Sequence, residues 1–227
     1  TLHDAVFAEL EGDRLPITLG GDHCLAVGSI SAVVRHCRAA GKKVLVLWFD
    51  AHADFNTASI TPSGNLHGMP VACLLGHGPD GLTSMAGATP AMRHDEVRQV
   101  GLRSVDQGEK ELLHEVGVEC YDMRYIDEKS MRKVMKKALA GVDEDTHVHV
   151  SLDLDCVDPA LAPGVSTPAP DGIGHHAMQQ CKQGKAERVR VVVLPLILNA
   201  ASHVKSDIPL ALAAAQQQYR HGWPGHD

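Results

Sequence analysis

The feature that most restricts how this chain can fold is a series of short, near-continuous apolar runs separated by stretches of helical character. Runs rich in Val, Leu and Ile occupy residues 15–19, 44–49, 97–102, 118–121, 147–154 and 189–198. Their apolar residues follow one another rather than alternate, which is the pattern of strands covered on both faces. Helices are predicted at 25–40, 70–75, 107–116, 128–140 and 208–219. The last has Asp207 as a cap, Pro209 in its first turn and Gly222 beyond its end. Strand and helix in turn imply a mainly parallel sheet with right-handed crossovers, a three-layer α/β/α architecture. Residues 76–93, rich in Gly, Pro and Thr, read as a long surface loop. The opening residues read as the tail of a helix. No linker or repeat divides the sequence, so one domain over residues 1–227 is expected.

Charge and cysteine usage exclude several functions. The net charge is -7, and no Lys/Arg cluster is longer than Lys136 and Lys137, which argues against a nucleic-acid or anionic-membrane partner. No run reaches the roughly 20 apolar residues of a membrane helix. The first residues also lack a basic-then-apolar signal pattern, so a cytoplasmic location is expected. Cys24, Cys37, Cys73, Cys120, Cys156 and Cys181 form no C-x-x-C pair and read as reduced thiols.

The polar residues that carry chemistry fall where the apolar runs end, the place where open parallel sheets bind ligands. Gly20-Gly21-Asp22-His23 follows the first run, Asp50-Ala51-His52-Ala53-Asp54 the second, and Asp153-Leu154-Asp155 closes the fifth. Asp153-x-Asp155 alone is the pattern of a loop start, and His23 after two glycines that of a turn. Asp50-x-His52-x-Asp54 is more specific, because an extended stretch would aim all three side chains the same way. Four uncompensated carboxylates on one rim would repel one another, and a cation is the natural compensation. Oxygen-dominated ligands with two imidazoles and no thiolate favour an ion such as manganese. Six ligands are too many for one catalytic ion with an open position. Two ions sharing bridging carboxylates, with an activated water between them, fit the set.

With Asn56-Thr57 and Ser63-Gly64-Asn65-Leu66-His67-Gly68-Met69-Pro70, these clusters resemble the arginase branch of the ureohydrolase family, in register from residue 15 to 168. The resemblance implies an arginase-like fold and two Mn2+ ions. One would be held by His23, Asp50, Asp54 and Asp153, the other by Asp50, His52, Asp153 and Asp155. It assigns Asn56, Ser63 and Asn65 to the α-carboxylate and neighbouring polar atoms of an amino acid, and Asp106, supported by Glu109, to its α-amino group. His67 matches a proton-shuttling histidine, with Asp54 the second catalytic residue, and Thr167 matches a threonine near the guanidinium. Simpler roles stay open: a turn for Ser63 and Asn65, a helix cap for Asp106 and Glu109, and a plain loop position for His67.

The implied reaction is hydrolysis of L-arginine to L-ornithine and urea, by a homo-oligomer, a trimer or hexamer. Two departures from the family pattern keep alternatives open. The strand and helix expected before Gly20 are not evident. Residues 191–195, Val-Val-Val-Leu-Pro, also lack the glutamate that the family places there to pair with the guanidinium, with Glu187 a distant substitute. The chain thus reads as shortened or divergent at both ends. A ureohydrolase acting on another guanidino or formimino compound, and a non-catalytic metal-binding relative, are the alternatives.

Overall fold

The computed structural model describes residues 1–174, residue 177 and the backbone of 191–193. Its helices are α1 (Leu2–Glu11), α2 (Leu25–Ala39), α3 (Pro70–Leu74), α4 (Asp80–Thr83), α5 (Gln107–Val116), α6 (Met123–Lys129) and α7 (Met131–Ala138). Its strands are β1 (Lys43–Phe49), β2 (Val97–Leu102), β3 (Glu119–Asp122), β4 (Thr146–Leu152) and β5 (Val191–Val193). All pair in parallel, in the order β3-β2-β1-β4-β5.

β1 shows why the sheet is covered on both faces. Val44, Val46 and Trp48 enter one core with Ile30 and Val33 of α2 and Leu113 of α5, while Leu45 and Leu47 enter a second core with Ile126 of α6 and Val134 of α7. Successive side chains of a strand point to opposite faces, so a continuous apolar run feeds two layers at once. The three-layer expectation holds.

The local signals that held are the chemically strongest. In α5, Glu109 accepts from the backbone N–H of Asp106 (2.9 Å), and Gly117 ends the helix in the left-handed region at φ 80°. Gly101 in β2 also has positive φ, 102°, and a Cβ there would meet the Asp50 carbonyl oxygen at 3.1 Å. Its lack of a side chain lets β2 approach the end of β1.

Four expectations need correction. Residues 15–19 form no strand; Leu15, Ile17 and Leu19 are 55%, 50% and 41% exposed, and no described strand lies alongside to pair with them. The predicted helix 128–140 is two helices, α6 and α7, because Ser130 has φ 75° and cannot continue either. The 76–93 stretch contains α4 and buries Ala86, Ala91 and Met92 in the core rather than lying on the surface. Finally, a helix does lie ahead of Gly20: in α1 the Thr1 side chain accepts from Asp4 N–H (3.3 Å), and Val6 and Leu10 pack with α2. The predicted helix 208–219, Glu187 and residues 194–198 lie outside the described residues.

Candidate metal centre

The chain leaves β1 for β2 and β3 on one side, then returns to place β4 on the other. The crevice between the carboxyl ends of β1 and β4 is therefore a topological switch point, where such sheets bind ligands. Asp50 follows β1 directly, and Asp153 and Asp155 follow β4, with the Asp153 N–H donating to the Phe49 carbonyl (2.8 Å).

The candidate ligands converge there as two overlapping groups, His23 with Asp50 and Asp54, and Asp50 with His52 and Asp155. Within each group the ligand atoms lie within 4.8 Å of one another. His23 Nδ1 is 2.9 Å from Asp50 Oδ2, 3.2 Å from Asp54 Oδ2 and 3.5 Å from Asp153 Oδ2. His52 Nδ1 is 3.0 Å from Asp155 Oδ2 and 3.4 Å from Asp50 Oδ1. Asp50 alone belongs to both groups, the position of a bridging ligand. The extended geometry expected for residues 50–54 is not what produces this. The chain bends at Ala51 and His52, and Asp54 has φ 51°, in the left-handed region. The Asp54 carbonyl accepts from Val71 N–H at the start of α3 (3.0 Å), which holds that turn in place.

Proton affinities here express charge crowding. Burial pulls His23 down, but the adjoining carboxylates of Asp153, Asp50 and Asp54 outweigh it and hold the imidazolium well above the usual histidine range. Burial likewise opposes His52, which Asp155 and Asp50 raise to about 11. Burial would raise Asp50, yet hydrogen bonds from His23 and His52 keep it well below the ordinary carboxylate range. Asp54 is pushed well above that range by burial and then by the charge of Asp50, and burial takes Asp155 up to about 6. Among the described residues two imidazoles face the four aspartates, and the buried Asp54 Oδ2 has no hydrogen-bond partner. A divalent cation fits this set. It would replace the imidazolium protons and give Asp54 Oδ2 a partner.

The ligand groups open into a cavity of about 340 Å³ whose wall includes Asn56, Ser63, Asn65, His67, Asp106, Glu109 and Thr167. The arginase family profile matches residues 1–197. The chain belongs to the arginase family. It is 41% identical over 186 residues to the arginase of Bacillus caldovelox, covering 80% of this chain and 61% of that one. It is 45% identical over 163 residues to the arginase of Brevibacillus brevis, covering 71% and 53%. The chain thus spans little more than half of these relatives. The crystal structure of arginase from Bacillus cereus superposes with a TM-score of 0.73 at 39% identity, covering 78% of this chain and 60% of that one. A second profile, CbiX, matches residues 174–224 and overlaps the arginase-family match at 174–197.

Around the cavity, the simpler roles are the ones these side chains show. Asp106 and Glu109 do cap α5, and Glu109 also accepts from Phe55 N–H (3.0 Å), which fixes the stretch after Asp54. Asn56 Nδ2 donates to Asp106 Oδ2 (3.0 Å), and among the described residues its buried Oδ1 is left without a partner beside the cavity. Ser63 and Asn65 lie on an exposed turn in which Asn65 N–H donates to Ser63 Oγ (3.2 Å). His67 is half exposed, 3.8 Å from Asp22. Thr167 Oγ1 donates to Asp155 Oδ2 (3.0 Å), so it touches a candidate ligand directly.

Three residues that sequence reasoning passed over hold the ligands in place. Ser151 Oγ meets His23 Nε2 (2.9 Å), which leaves Nδ1 facing the carboxylates. The Trp48 indole stacks on that imidazole at 4.0 Å and donates to Asp50 Oδ2 (3.1 Å). Arg103 binds the loops that follow β4. Trp48 and Ser151 are register partners on adjacent strands, each two residues before Asp50 and Asp153, a signal legible once the pairing is known.

Proposed function

We propose that this chain is a manganese-dependent hydrolase of a guanidino group, converting L-arginine to L-ornithine and urea. The observation that carries this reading is the pair of carboxylate–imidazole groups sharing Asp50 at the floor of a cavity whose wall includes Asn56, Asp106 and His67. His23, Asp50, Asp54 and Asp153 would hold one ion, and Asp50, His52, Asp153 and Asp155 the other. When bound, such a pair supplies Lewis acidity that lets a water lose its proton near neutral pH.

The remaining work falls to the side chains. Asn56 Oδ1 and the Asp106 carboxylate accept from the substrate α-amino group, and the hydroxyl of Ser63 with the amide of Asn65 donates to its α-carboxylate. Anchoring that end sets the guanidinium carbon over the floor of the cavity. Asp54 accepts a proton from the water. As water oxygen bonds to the guanidinium carbon and the carbon–nitrogen bond to the side chain breaks, His67 delivers a proton to the departing amine. The products are urea and the amine of ornithine.

The test uses the full chain loaded with manganese and given L-arginine, with urea and ornithine measured together. Equimolar release is expected. The Asp50→Asn variant should lose both ions at once, because one side chain serves both groups; two ions retained in that variant would refute the shared-ligand assignment. A second reading, a ureohydrolase acting on another guanidino or formimino compound, is favoured by the run Val-Val-Val-Leu-Pro at 191–195, which has no glutamate for a guanidinium. Formamide, or urea from a different guanidino acid, without product from arginine would select it. Two bound ions with no turnover on either class of substrate would exclude both.

A further inference from the structure

We propose that Arg103 is a positioning residue, a clamp that sets the Asp155 carboxylate by tying the chain after β4 to the chain after β1. The side chain is half-buried, and its guanidinium donates only to main-chain carbonyls among the described hydrogen bonds. Nη2 donates to Asp155 O (2.6 Å) and Ala169 O (2.7 Å), Nε to Pro170 O (2.8 Å), and Nη1 to Cys156 O and Gly101 O (3.2 Å each). An arginine offers five N–H donors in a fixed plane, and all three of its nitrogens are engaged here.

The backbone of the same residue reaches the other loop. Ala51 O accepts from the N–H of Arg103 (2.9 Å) and of Ser104 (3.0 Å), and Ala51 N–H donates to Asp155 Oδ1 (3.1 Å). The connections close into a ring: Arg103 main chain, Ala51, Asp155 carboxylate, Asp155 carbonyl, Arg103 guanidinium. The hold on Ala169 and Pro170 adds a second grip, because it anchors the segment from which Thr167 reaches Asp155 Oδ2. Asp155 is thus fixed at its carbonyl and at both carboxylate oxygens, with His52 Nδ1 3.0 Å away. Without the guanidinium, residues 155–157 and 169–170 lose their common donor, and the Asp155 carboxylate loses its fixed direction. Lysine cannot substitute, since one ammonium lacks the span to reach carbonyls on two separate loops.

The effect on metal binding rests on the reading of the cavity as a metal centre; the clamp itself does not. The test therefore has two arms, applied to the full chain as parent, Arg103→Gln and Arg103→Lys. In the metal-free protein, hydrogen exchange by mass spectrometry should accelerate across residues 153–173 in both variants, while β1 and α5 keep their protection. In a manganese titration, the ion served by His52 and Asp155 should weaken about tenfold or more, the ion served by His23 and Asp54 keeping its affinity. Arg103→Lys guards against simple misfolding of Arg103→Gln, because it keeps the charge and the stem. Exchange at 153–173 unchanged in both variants overturns the proposal, as does loss of protection throughout the chain in both. Equal manganese affinities in parent and a locally loosened variant also overturn the positioning role. A parent that binds no manganese, with local loosening in the variants, leaves the clamp standing and refutes the metal-centre reading instead.

Discussion

His149 is buried on β4, and among the described residues neither ring nitrogen has a hydrogen-bond partner. Burial takes its pKa down to about 3, so the folded protein keeps the ring neutral over the whole working range. An unpartnered buried polar atom costs about 1–3 kcal/mol, and replacing it with an apolar group of similar size removes that cost. His149→Leu is expected to raise the urea midpoint by about that energy, at unchanged slope. Sign matters for the pH arm. An unfolded histidine takes up a proton below pH 6.5 that folded His149 refuses until about 3, so the parent loses stability in that window as pH falls. The leucine variant escapes that contribution, and its advantage should widen between pH 6.5 and 5. A lower midpoint for the variant at both pH values would mean that the imidazole has a stabilising partner.

The break between α6 and α7 shows how a single dihedral sets an element. Ser130 sits at φ 75°, ψ 145°, a conformation costly for any residue with a Cβ, and its side chain makes no capping bond. Ser130→Gly should therefore stabilise the fold by about 1 kcal/mol, read from thermal or urea unfolding; a loss of stability would show that the serine side chain contributes more than the strain costs. That break was invisible in the sequence, where residues 128–140 carry one helical period through it. Elements with explicit start and stop chemistry were legible: Asp106 and Gly117 mark α5, and Pro70 opens α3. The run 15–19 misled because apolar content alone does not place a segment in a sheet: Leu15, Ile17 and Leu19 stay exposed, with no strand beside them among the described residues. The candidate ligands were legible only as a set: Asp153-x-Asp155 alone reads as a loop start, but four carboxylates and two imidazoles at the ends of three apolar runs need a common counter-charge. Arg103 was not, since its partners are main-chain carbonyls some 50 to 70 positions away that no residue type announces.

For the molecule as a whole, the sheet order brings charge together that the fold must then neutralise. Residues 23, 50–54 and 153–155 meet only because β4 returns beside β1, and without a cation the balance falls to His23 and His52. Both have folded pKa values raised above the unfolded value, so their stabilisation is complete below pH 6.5 and is lost as pH rises, for His52 toward about 11. Asp155, raised to about 6, already favours the folded state less once pH exceeds its unfolded value and approaches 6. The metal-free protein should accordingly lose thermal stability between pH 6.5 and 9. A divalent cation takes the lone pairs that those protons occupy, so its binding releases protons and tightens as pH rises. Melting curves recorded with and without manganese across pH 6 to 9 should therefore diverge, the metal-free curve falling while the gap between them grows. Convergence of the two toward pH 9, or a metal-free melting temperature that climbs over that range, would show that the imidazoles are not what balances the carboxylates.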